Sequence, residues 1–249
     1  MIITRSKGAS FRPHYAMLSV PNLYNKWIAY IHDPYPFHYY PRPYNWVESG
    51  YRFKEGFFSK VSEKAKFSVF PSLLLKEWMG SYYPDFLERG LVIPHQISND
   101  LETSKTTPNY FEKDKFTILH AGSLMRPRNP MGLIEGFEKF LKNSETAKEE
   151  SQLLFLGKKD YFEPYLNKKK ESISQLYLSL GYVDFDEVQN IQNNVSVNVI
   201  LEAKSEISPF LPGKFPHCVK ANKPILYLGP NQSETLRLLG KDYLFSAEI

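Results

Sequence analysis

A basic turn between a predicted strand and a predicted helix is the first stretch of the sequence that could do chemistry. It begins at Gly122, ends at Pro130 and carries Arg126 and Arg128. Free backbone N–H groups and the positive end of the helix dipole suit an anion at such a place, and each guanidinium can hold two phosphate oxygens. The turn is therefore either a phosphate-binding loop or an ordinary basic turn exposed to solvent.

A second candidate cation, Lys214, opens a helix predicted over residues 214–221. A lysine at the start of a helix is unfavourable against the helix dipole, and a phosphate partner would explain it. The preceding Gly213 would let the backbone approach a ligand closely. The alternative is a surface lysine without a ligand.

The pair His32 and Asp33 follows an apolar run at 27–31 that predicts a buried strand, and Pro34 prevents the strand from continuing. Because histidine titrates near neutrality, a histidine at a strand end can act as a general base. We therefore interpret His32 and Asp33 as candidate catalytic residues, which would either deprotonate an acceptor hydroxyl or position it.

Two aspartates in a D-x-D pattern, Asp184 and Asp186, are a candidate site for a divalent metal. They also open a predicted helix, where aspartate is a common N-cap, and we favour capping over metal binding. The single cysteine, Cys218, excludes an internal disulfide and a cysteine-based zinc site.

The elements that must position these residues are short apolar strands that alternate with helices. The clearest strands are at 27–31, 67–70, 116–120, 153–156 and 224–228. Such alternation predicts an α/β fold with parallel sheets, whose strand ends are the usual ligand sites. It occurs on both sides of a polar stretch, so we predict one domain at 1–98, a linker at 99–115 and a second domain at 116–249.

Composition limits the class of protein. Of 249 residues, 42% are hydrophobic and 23% charged, which fits a globular protein and excludes a collagen-like or disordered chain. No apolar run is long enough for a membrane helix, and the first residues do not form a signal peptide. Residues 1–98 contain 12 Lys and Arg against 7 Asp and Glu, which favours anionic partners but is too small an excess to indicate nucleic acid.

Six segments, taken in order, resemble the family-4-type ("group 1") glycosyltransferases of the GT-B fold. They are IHDPYP at 31–36, VIPHQIS at 92–98, FTILHAGSLMRPRNPMGLIEGF at 116–137, LLFLGK at 153–158, LGYVDFDEV at 180–188 and SPFLPGKFPHCVKANKPILYLGP at 208–230. The resemblance implies two Rossmann-like domains that face each other across a cleft, with a nucleotide sugar bound mainly by the second domain.

The resemblance also implies roles for single residues. Arg128 falls where the family has a phosphate-binding lysine, Lys214 falls on the donor-loop lysine and His32 falls on the acceptor-side histidine. The full set that we expect at the donor is Gly122, Ser123, Arg126, Arg128, Gly181, Tyr182, Val183, Gly213, Lys214 and His217.

The sequence departs from the family pattern at three positions. Ser123 replaces the usual loop arginine, and Pro209 and His217 replace an acidic pair spaced eight residues apart. These departures leave the contacts to ribose and to the donor sugar open. The first strands of the acceptor domain and the closing helices also have no counterpart in this sequence, so we expect a fragment that is incomplete at both ends.

The resemblance implies transfer of a sugar from a nucleotide sugar to a hydroxyl of a glycan, polysaccharide or lipid-linked acceptor, without a metal or other cofactor. We expect a cytoplasmic protein, with the basic, aromatic first half available for contact with the inner face of a membrane. Two alternatives stay open: a non-catalytic remnant that binds carbohydrate or a protein, and another sugar-nucleotide enzyme such as an epimerase.

Overall fold

The structure is a computed structural model that describes residues 1–6, 10–35, 51–98, 107–240 and 242–249. An aromatic loop predicted within 35–58 and the predicted linker 99–115 lie partly outside these residues. The chain divides into two compact units. The first consists of Met1–His95, Ser205–Leu211 and Gln232–Gly240, and the second consists of Gln96–Lys204, Pro212–Asn231 and Lys241–Ile249.

The first unit contains a four-stranded parallel sheet in the order β1-β2-β3-β4. Its strands are β1 (Ile2–Arg5), β2 (Trp27–Tyr30), β3 (Phe67–Phe70) and β4 (Gly90–Val92). Its helices are α1 (Arg12–Leu18), α2 (Tyr51–Lys64), α3 (Leu73–Tyr82) and α4 (Asp85–Arg89), and a 3-10 turn spans Pro21–Lys26.

Buried side chains alternate with partly exposed ones along β2, and the buried ones show which face of the sheet the helices cover. Trp27, Ala29 and Ile31 are fully buried and share one core with side chains from all four helices. On the opposite face Ile3 and Leu91 remain 53% and 45% exposed. Within the described residues, the helices of this unit therefore pack on a single face of its sheet.

The rest of the chain supplies eight strands and six helices to the part that the structure describes. They are β5 (Phe116–Ala121), α5 (Met131–Asn143), α6 (Glu145–Glu150), β6 (Ser151–Leu156), α7 (Glu163–Ser172), β7 (Leu176–Leu178), α8 (Phe185–Asn194), β8 (Val197–Leu201), β9 (Ile207–Ser208), α9 (Phe215–Lys220), β10 (Ile225–Leu228), β11 (Gln232–Ser233), α10 (Glu234–Leu239) and β12 (Ser246–Ala247).

The second unit is built on a six-stranded parallel sheet in the order β12-β10-β8-β5-β6-β7. All six residues of β6 are buried, as expected for an inner strand covered on both faces. One face packs on a core that includes Ile134 and Leu166, and the other on a core that includes Phe111 and Ile191. The predicted α/β class with separate parallel sheets is confirmed.

Two segments from the C-terminal half of the sequence, Ser205–Leu211 and Gln232–Gly240, belong to the first unit. The sequence predicts both within the second domain, at 116–249. In these segments β9 and β11 form a two-stranded parallel sheet, and α10 follows. The carboxylate of Glu234 accepts the backbone N–H groups of Leu73 and Leu74 at 3.1 and 3.3 Å. These two residues begin α3. Ser72 is the N-cap of α3 and accepts the N–H of Leu75 at 2.9 Å, and its hydroxyl donates to the carbonyl of Pro209.

Some boundaries differ from the predicted ones for local reasons. An asparagine before a proline is typical of an N-cap followed by the first helical residue, but here Pro130 is the N-cap of α5 and the Asn129 side chain accepts the N–H of Met131 at 2.9 Å. The helices α6 and α7 were not predicted, because their mostly polar sequences (ETAKEE and EPYLNKKKES) carry no apolar period. Among the described residues no helix is long and apolar enough to cross a membrane.

Candidate functional site

A cavity of about 350 Å³ lies in the second unit, at the carboxyl ends of β5 and β6 and beside α8 and α9. It is lined by Ala121, Gly122, Ser123, Leu156, Gly157, Lys158, Tyr182, Val183, Phe185, Val188, Gln192, Gly213, Lys214 and His217. Its volume is at the lower end of the range for small-molecule sites, and the strand ends of an open parallel sheet are where such sites form.

Two glycines at the strand ends make this cavity possible. Gly122 and Gly157 have φ angles of +131° and +123°, which side chains rarely allow. A Cβ at Gly157 would lie 2.8 Å from the carbonyl oxygen of Gly122, so the two turns are packed too closely for any side chain. Gly122 also donates its N–H to the carbonyl of Leu156 at 2.8 Å, which continues the strand pairing into the turn.

A serine hydroxyl fixes the third turn, after β7. Ser179 Oγ accepts the N–H of Gly157 at 2.9 Å and donates to the carbonyl of Gly181 at 2.9 Å. This turn brings Tyr182, which is 77% exposed, and Val183 to the cavity wall. β7 ends at Leu178, so Tyr182 and Val183 lie in the turn and not in the strand.

Lys214 lines the cavity, and its ammonium group is partly used by the protein itself. It donates to the carbonyl oxygens of Ala121 at 3.0 Å and Val199 at 3.1 Å. Burial lowers the pKa of Lys214 to about 8, opposed by the Cys218 thiol and reinforced by Arg128. An ammonium has three N–H donors, so two strand carbonyls leave one for a ligand.

Lys158 is a lining residue that the sequence analysis missed. It is exposed at the end of β6, and its ammonium has no hydrogen bond or ion pair in the described part of the chain. A strand-end lysine directly after Gly157 was the signal that could have identified it. Lys158 therefore offers a full set of donors where Lys214 offers one.

The two arginines of the basic turn are not part of the cavity wall. Arg126 is exposed and lies over the ring of Tyr161, 5.3 Å from its centroid. Arg128 is half-buried and close enough to Lys214 and His120 to lower the pKa of both. Gly181, the third expected residue outside the wall, directly precedes Tyr182 of the wall, and its carbonyl accepts the hydroxyl of Ser179.

His217 lies where α9 meets α8. Its Nδ1 is 2.7 Å from the side-chain oxygen of Gln189, and its ring meets Phe185 edge-on at 5.2 Å. Because that oxygen only accepts, Nδ1 carries the proton and Nε2 is left as an acceptor. Burial and the nearby Lys220 lower the pKa of His217, which favours this neutral form.

The lining residues of α8 were also missed. Phe185, Val188 and Gln192 follow one another at i, i+3 and i+7, the spacing of one helix face. That spacing could have placed them beside the Asp184 motif. Asp184 does occupy the N-cap position of α8, but its side chain forms no capping hydrogen bond.

His32 lies in the first unit, at the end of β2. Its backbone N–H donates to Ser6 Oγ at 3.0 Å, and its Nδ1 is 3.3 Å from the same oxygen. Its ring stacks on Tyr30 at 4.4 Å and on His95 at 5.7 Å. Burial, followed by the charges of His95 and Arg5, lowers the pKa of His32, while Asp33 opposes this shift.

His95 was not identified from the sequence. Its Nε2 donates to the carbonyl of Leu211 at 3.1 Å, which leaves Nδ1 as an acceptor. Burial also lowers the pKa of His95, and Arg5 adds to the effect. The first sheet thus ends in two imidazoles whose pKa values are both lowered and whose rings are nearly parallel, at 11°.

The fold matches solved structures, although no known protein-family profile and no curated protein is similar in sequence. The trehalose-6-phosphate synthase OtsA aligns with a TM-score of 0.61 and 11% identity over 89% of this chain. The α,α-trehalose-phosphate synthase (UDP-forming) from Burkholderia vietnamiensis aligns with 0.60 and 8% over 99%. Anabaena Alr3699/HepE, in complex with UDP and glucose, aligns with 0.57 and 10% over 96%.

The chain spans 56, 60 and 61% of the length of these three structures. Their architecture is the GT-B fold of glycosyltransferases, and the predicted fold is thereby confirmed for this chain. At 8–11% identity the similarity establishes the fold alone.

Proposed function

We propose that this chain is a glycosyltransferase, or the larger part of one, that moves a sugar from a nucleotide sugar to a hydroxyl acceptor. Within the GT-B fold we propose the family-4 type, on the sequence segments described above. The observation that carries the proposal is the cavity at the strand ends of the second sheet, which combines close-packed glycine turns with two lysines. HepE, a structural neighbour, was solved with UDP and glucose.

The chemistry that such a cavity must serve is departure of a nucleoside diphosphate. Negative charge grows on the diphosphate as the bond to the sugar breaks, and fixed cations stabilise that charge. In the proposed reaction Lys158 and the remaining N–H donor of Lys214 stabilise the negative charge on the diphosphate. Arg128 contributes a more distant positive charge. The Asp184 motif has no part in this proposal, which requires no metal.

His217 has a proposed role at the ribose. A carboxylate at this place would accept hydrogen bonds from ribose hydroxyls, and the free Nε2 of neutral His217 can accept one in its place. Gln189 holds the tautomer that this requires. Tyr182 and Val183 would then meet the base through side-chain and backbone contacts.

On the acceptor side, we propose that His32 takes the proton from the attacking hydroxyl, with Asp33 as its charged neighbour. A base at Nε2 requires the proton on Nδ1, which then donates to Ser6 Oγ. The lowered pKa keeps the imidazole neutral at physiological pH and therefore able to accept a proton. The acceptor in this proposal is a glycan, a polysaccharide or a lipid-linked sugar on the cytoplasmic side of the membrane.

Titration calorimetry with nucleoside diphosphates tests the donor site. A charged hydrogen bond is worth roughly 1.5–3 kcal/mol, so Lys158→Ala should weaken binding about ten- to a hundredfold. Lys168→Ala is the matched control, because Lys168 is an exposed lysine of α7 in the same unit and lies outside the cavity wall. Lys214→Ala should weaken binding as well, but it also removes two bonds to strand carbonyls.

The same titration with a chelator decides the metal question. Unchanged binding supports a metal-independent site, and loss of binding would return Asp184 and Asp186 as metal ligands. Product analysis with a nucleotide sugar then separates the alternatives: transfer or hydrolysis supports the transferase, an epimerised nucleotide sugar indicates an epimerase, and binding without turnover indicates a non-catalytic remnant.

A further inference from the structure

A second, larger cavity lies in the first unit as a groove of about 790 Å³ beside α1 and α2. It is lined by Tyr15, Leu18, Ser19, Tyr24, Arg52, Phe53, Gly56, Phe57, Lys60, Glu63 and Lys64. Four of the residues from α2, namely Arg52, Gly56, Lys60 and Lys64, repeat every four positions and so form one stripe along the helix. The groove and the donor cavity share no residue.

The two segments that form the groove are basic, and its lining contains three cations, Arg52, Lys60 and Lys64, against one carboxylate, Glu63. Residues 10–26 and 51–66 contain seven Lys and Arg and only two acidic residues, Glu55 and Glu63. Lys64 lies 3.5 Å from Glu63. Arg52 and Lys60 are exposed, and neither has a hydrogen bond or ion pair among the residues that the structure describes.

Exposed aromatic rings lie beside these cations. Phe53 is 67% exposed and Tyr15 is 55% exposed, and their ring centroids are 6.3 Å apart. Gly56 keeps the centre of the stripe open, since a Cβ there would meet no atom within 4 Å. The helices α1 and α2 therefore present exposed aromatic rings and unpaired cations side by side. Exposing such apolar area to water is unfavourable, and it often marks a binding surface.

We propose that this groove is a docking surface for an anionic lipid bilayer. Cations alone would suit any polyanion, but helices that lie in a membrane interface combine a basic face with rings such as Phe that enter the acyl boundary. Each lysine or arginine held at an anionic surface strengthens binding about fivefold. The inference rests on charge complementarity and on the exposure of Phe53 and Tyr15, and it is independent of the proposed transferase activity.

Co-sedimentation of the whole chain with vesicles tests this surface. One vesicle preparation is phosphatidylcholine alone, and the other contains about one third phosphatidylglycerol, which supplies the negative surface potential. We expect binding to the anionic vesicles at low salt, little binding to the neutral ones, and release at about 1 M salt, where charges are screened within about 3 Å.

Two pairs of variants locate the surface. The double variant Arg52→Glu/Lys60→Glu should weaken vesicle binding at least about thirtyfold. Its control is Lys139→Glu/Lys142→Glu on the exposed side of α5, which changes the net charge by the same amount. Phe53→Ser should weaken binding about tenfold, whereas Phe140→Ser, on α5 and 41% exposed, should leave it unchanged. Thermal unfolding confirms that each variant folds.

The outcomes separate the proposal from its rivals. Selective loss in the α2 variants supports it. Equal loss in both double variants would mean that only net charge matters, and absence of binding by the wild type to anionic vesicles would mean that there is no lipid surface; either result overturns the proposal. Unchanged vesicle binding by Phe53→Ser also overturns it, since a surface that uses cations alone suits a soluble polyanion.

Discussion

The carboxyl ends of the two parallel sheets are built from different residues. In the second unit the strands end in Gly122 and Gly157, whose turns leave a cavity beside them. In the first unit β2 and β4 lead into His32 and His95, whose rings stack on each other. Glycine turns make room for a ligand beside Lys158 and Lys214, whereas stacked imidazoles fill the space and offer proton acceptors.

This contrast shows how one type of sheet can serve two tasks. A site that must hold a charged ligand benefits from small residues and fixed donors, and a site that must move a proton benefits from neutral bases with shifted pKa values. The donor and acceptor roles proposed above follow that division. If so, substitutions at the two edges should change different properties of the protein.

The strongest test of the imidazole edge is His32→Ala. If His32 is the general base, turnover of a nucleotide sugar should fall about a hundred- to ten-thousandfold, while binding of the nucleoside diphosphate stays unchanged. Because the pKa of His32 is lowered, the acid limb of the wild-type rate should lie below the usual 6.5 for histidine. Steady-state rates over a range of pH check both points, and a normal rate in the variant would remove His32 from the mechanism.

The glycine edge is tested by Gly157→Ala. A Cβ would meet the Gly122 carbonyl at 2.8 Å on a backbone with φ +123°, so we expect a loss of about 3 kcal/mol in the free energy of unfolding. Gly136→Ala on α5 is the control, because a Cβ there meets nothing within 4 Å, and it should stabilise the helix by up to about 1 kcal/mol. Denaturant unfolding measures both, and equal stability of the two variants would contradict the close packing.

Acid should destabilise both units through one buried histidine each. Burial lowers the pKa of His14 to about 4 and that of His120 well below its usual value. Since the unfolded chain takes up a proton below 6.5 and the folded chain does not, stability is full above that pH and falls as the pH is lowered towards the folded pKa. For His14 the cost should be about 2 kcal/mol between about pH 7.5 and about pH 5, and His120 should act in the same direction.

The variants His14→Gln and His120→Gln separate these two contributions. Each variant should remove the part of the pH dependence of the unfolding free energy that its own histidine causes. Denaturant titration at the two pH values measures this. A wild-type protein with equal stability at both would show that neither histidine is held neutral.

The smallest effect concerns the serine at each edge. Ser179→Ala removes the acceptor of the Gly157 N–H, and Ser6→Ala removes that of the His32 N–H. Each should cost about 1 kcal/mol of stability. The functional readouts should differ: Ser179→Ala should weaken diphosphate binding, whereas Ser6→Ala should change the pH profile of turnover. If both variants change the same readout, the division of labour between the edges is wrong.

The strands could be predicted because each apolar run is short and ends at proline or glycine. β2 before Pro34 and β6 before Gly157 show this directly. The GT-B fold was implied by the resemblance of six segments, taken in order, to the family-4-type glycosyltransferases. The short returns at β9 and β11 could not be predicted, since two-residue strands leave no periodic signal and their partners are distant in the chain.

The sequence indicated most of the residues that line the cavity, but it did not indicate which partners their side chains contact. Of the expected donor residues, Gly122, Ser123, Tyr182, Val183, Gly213, Lys214 and His217 line the cavity. Arg126 does not, because a ring 35 positions away attracts its guanidinium. Likewise, the sequence could not show that two strand carbonyls bind Lys214. Long cationic side chains have many rotamers, and their partners depend on tertiary packing.

The capping of α3 by Glu234 has a consequence for biosynthesis. The two are about 160 positions apart in sequence, so a ribosome that has released only the first hundred residues leaves the first turn of this helix without its carboxylate. Domains usually fold in the order in which they are made, but here the first unit is complete only after its last strand and helix, β11 and α10, have been made. Closing so long a loop is slow, and the second sheet, whose strand order is nearly complete by β10, can form first.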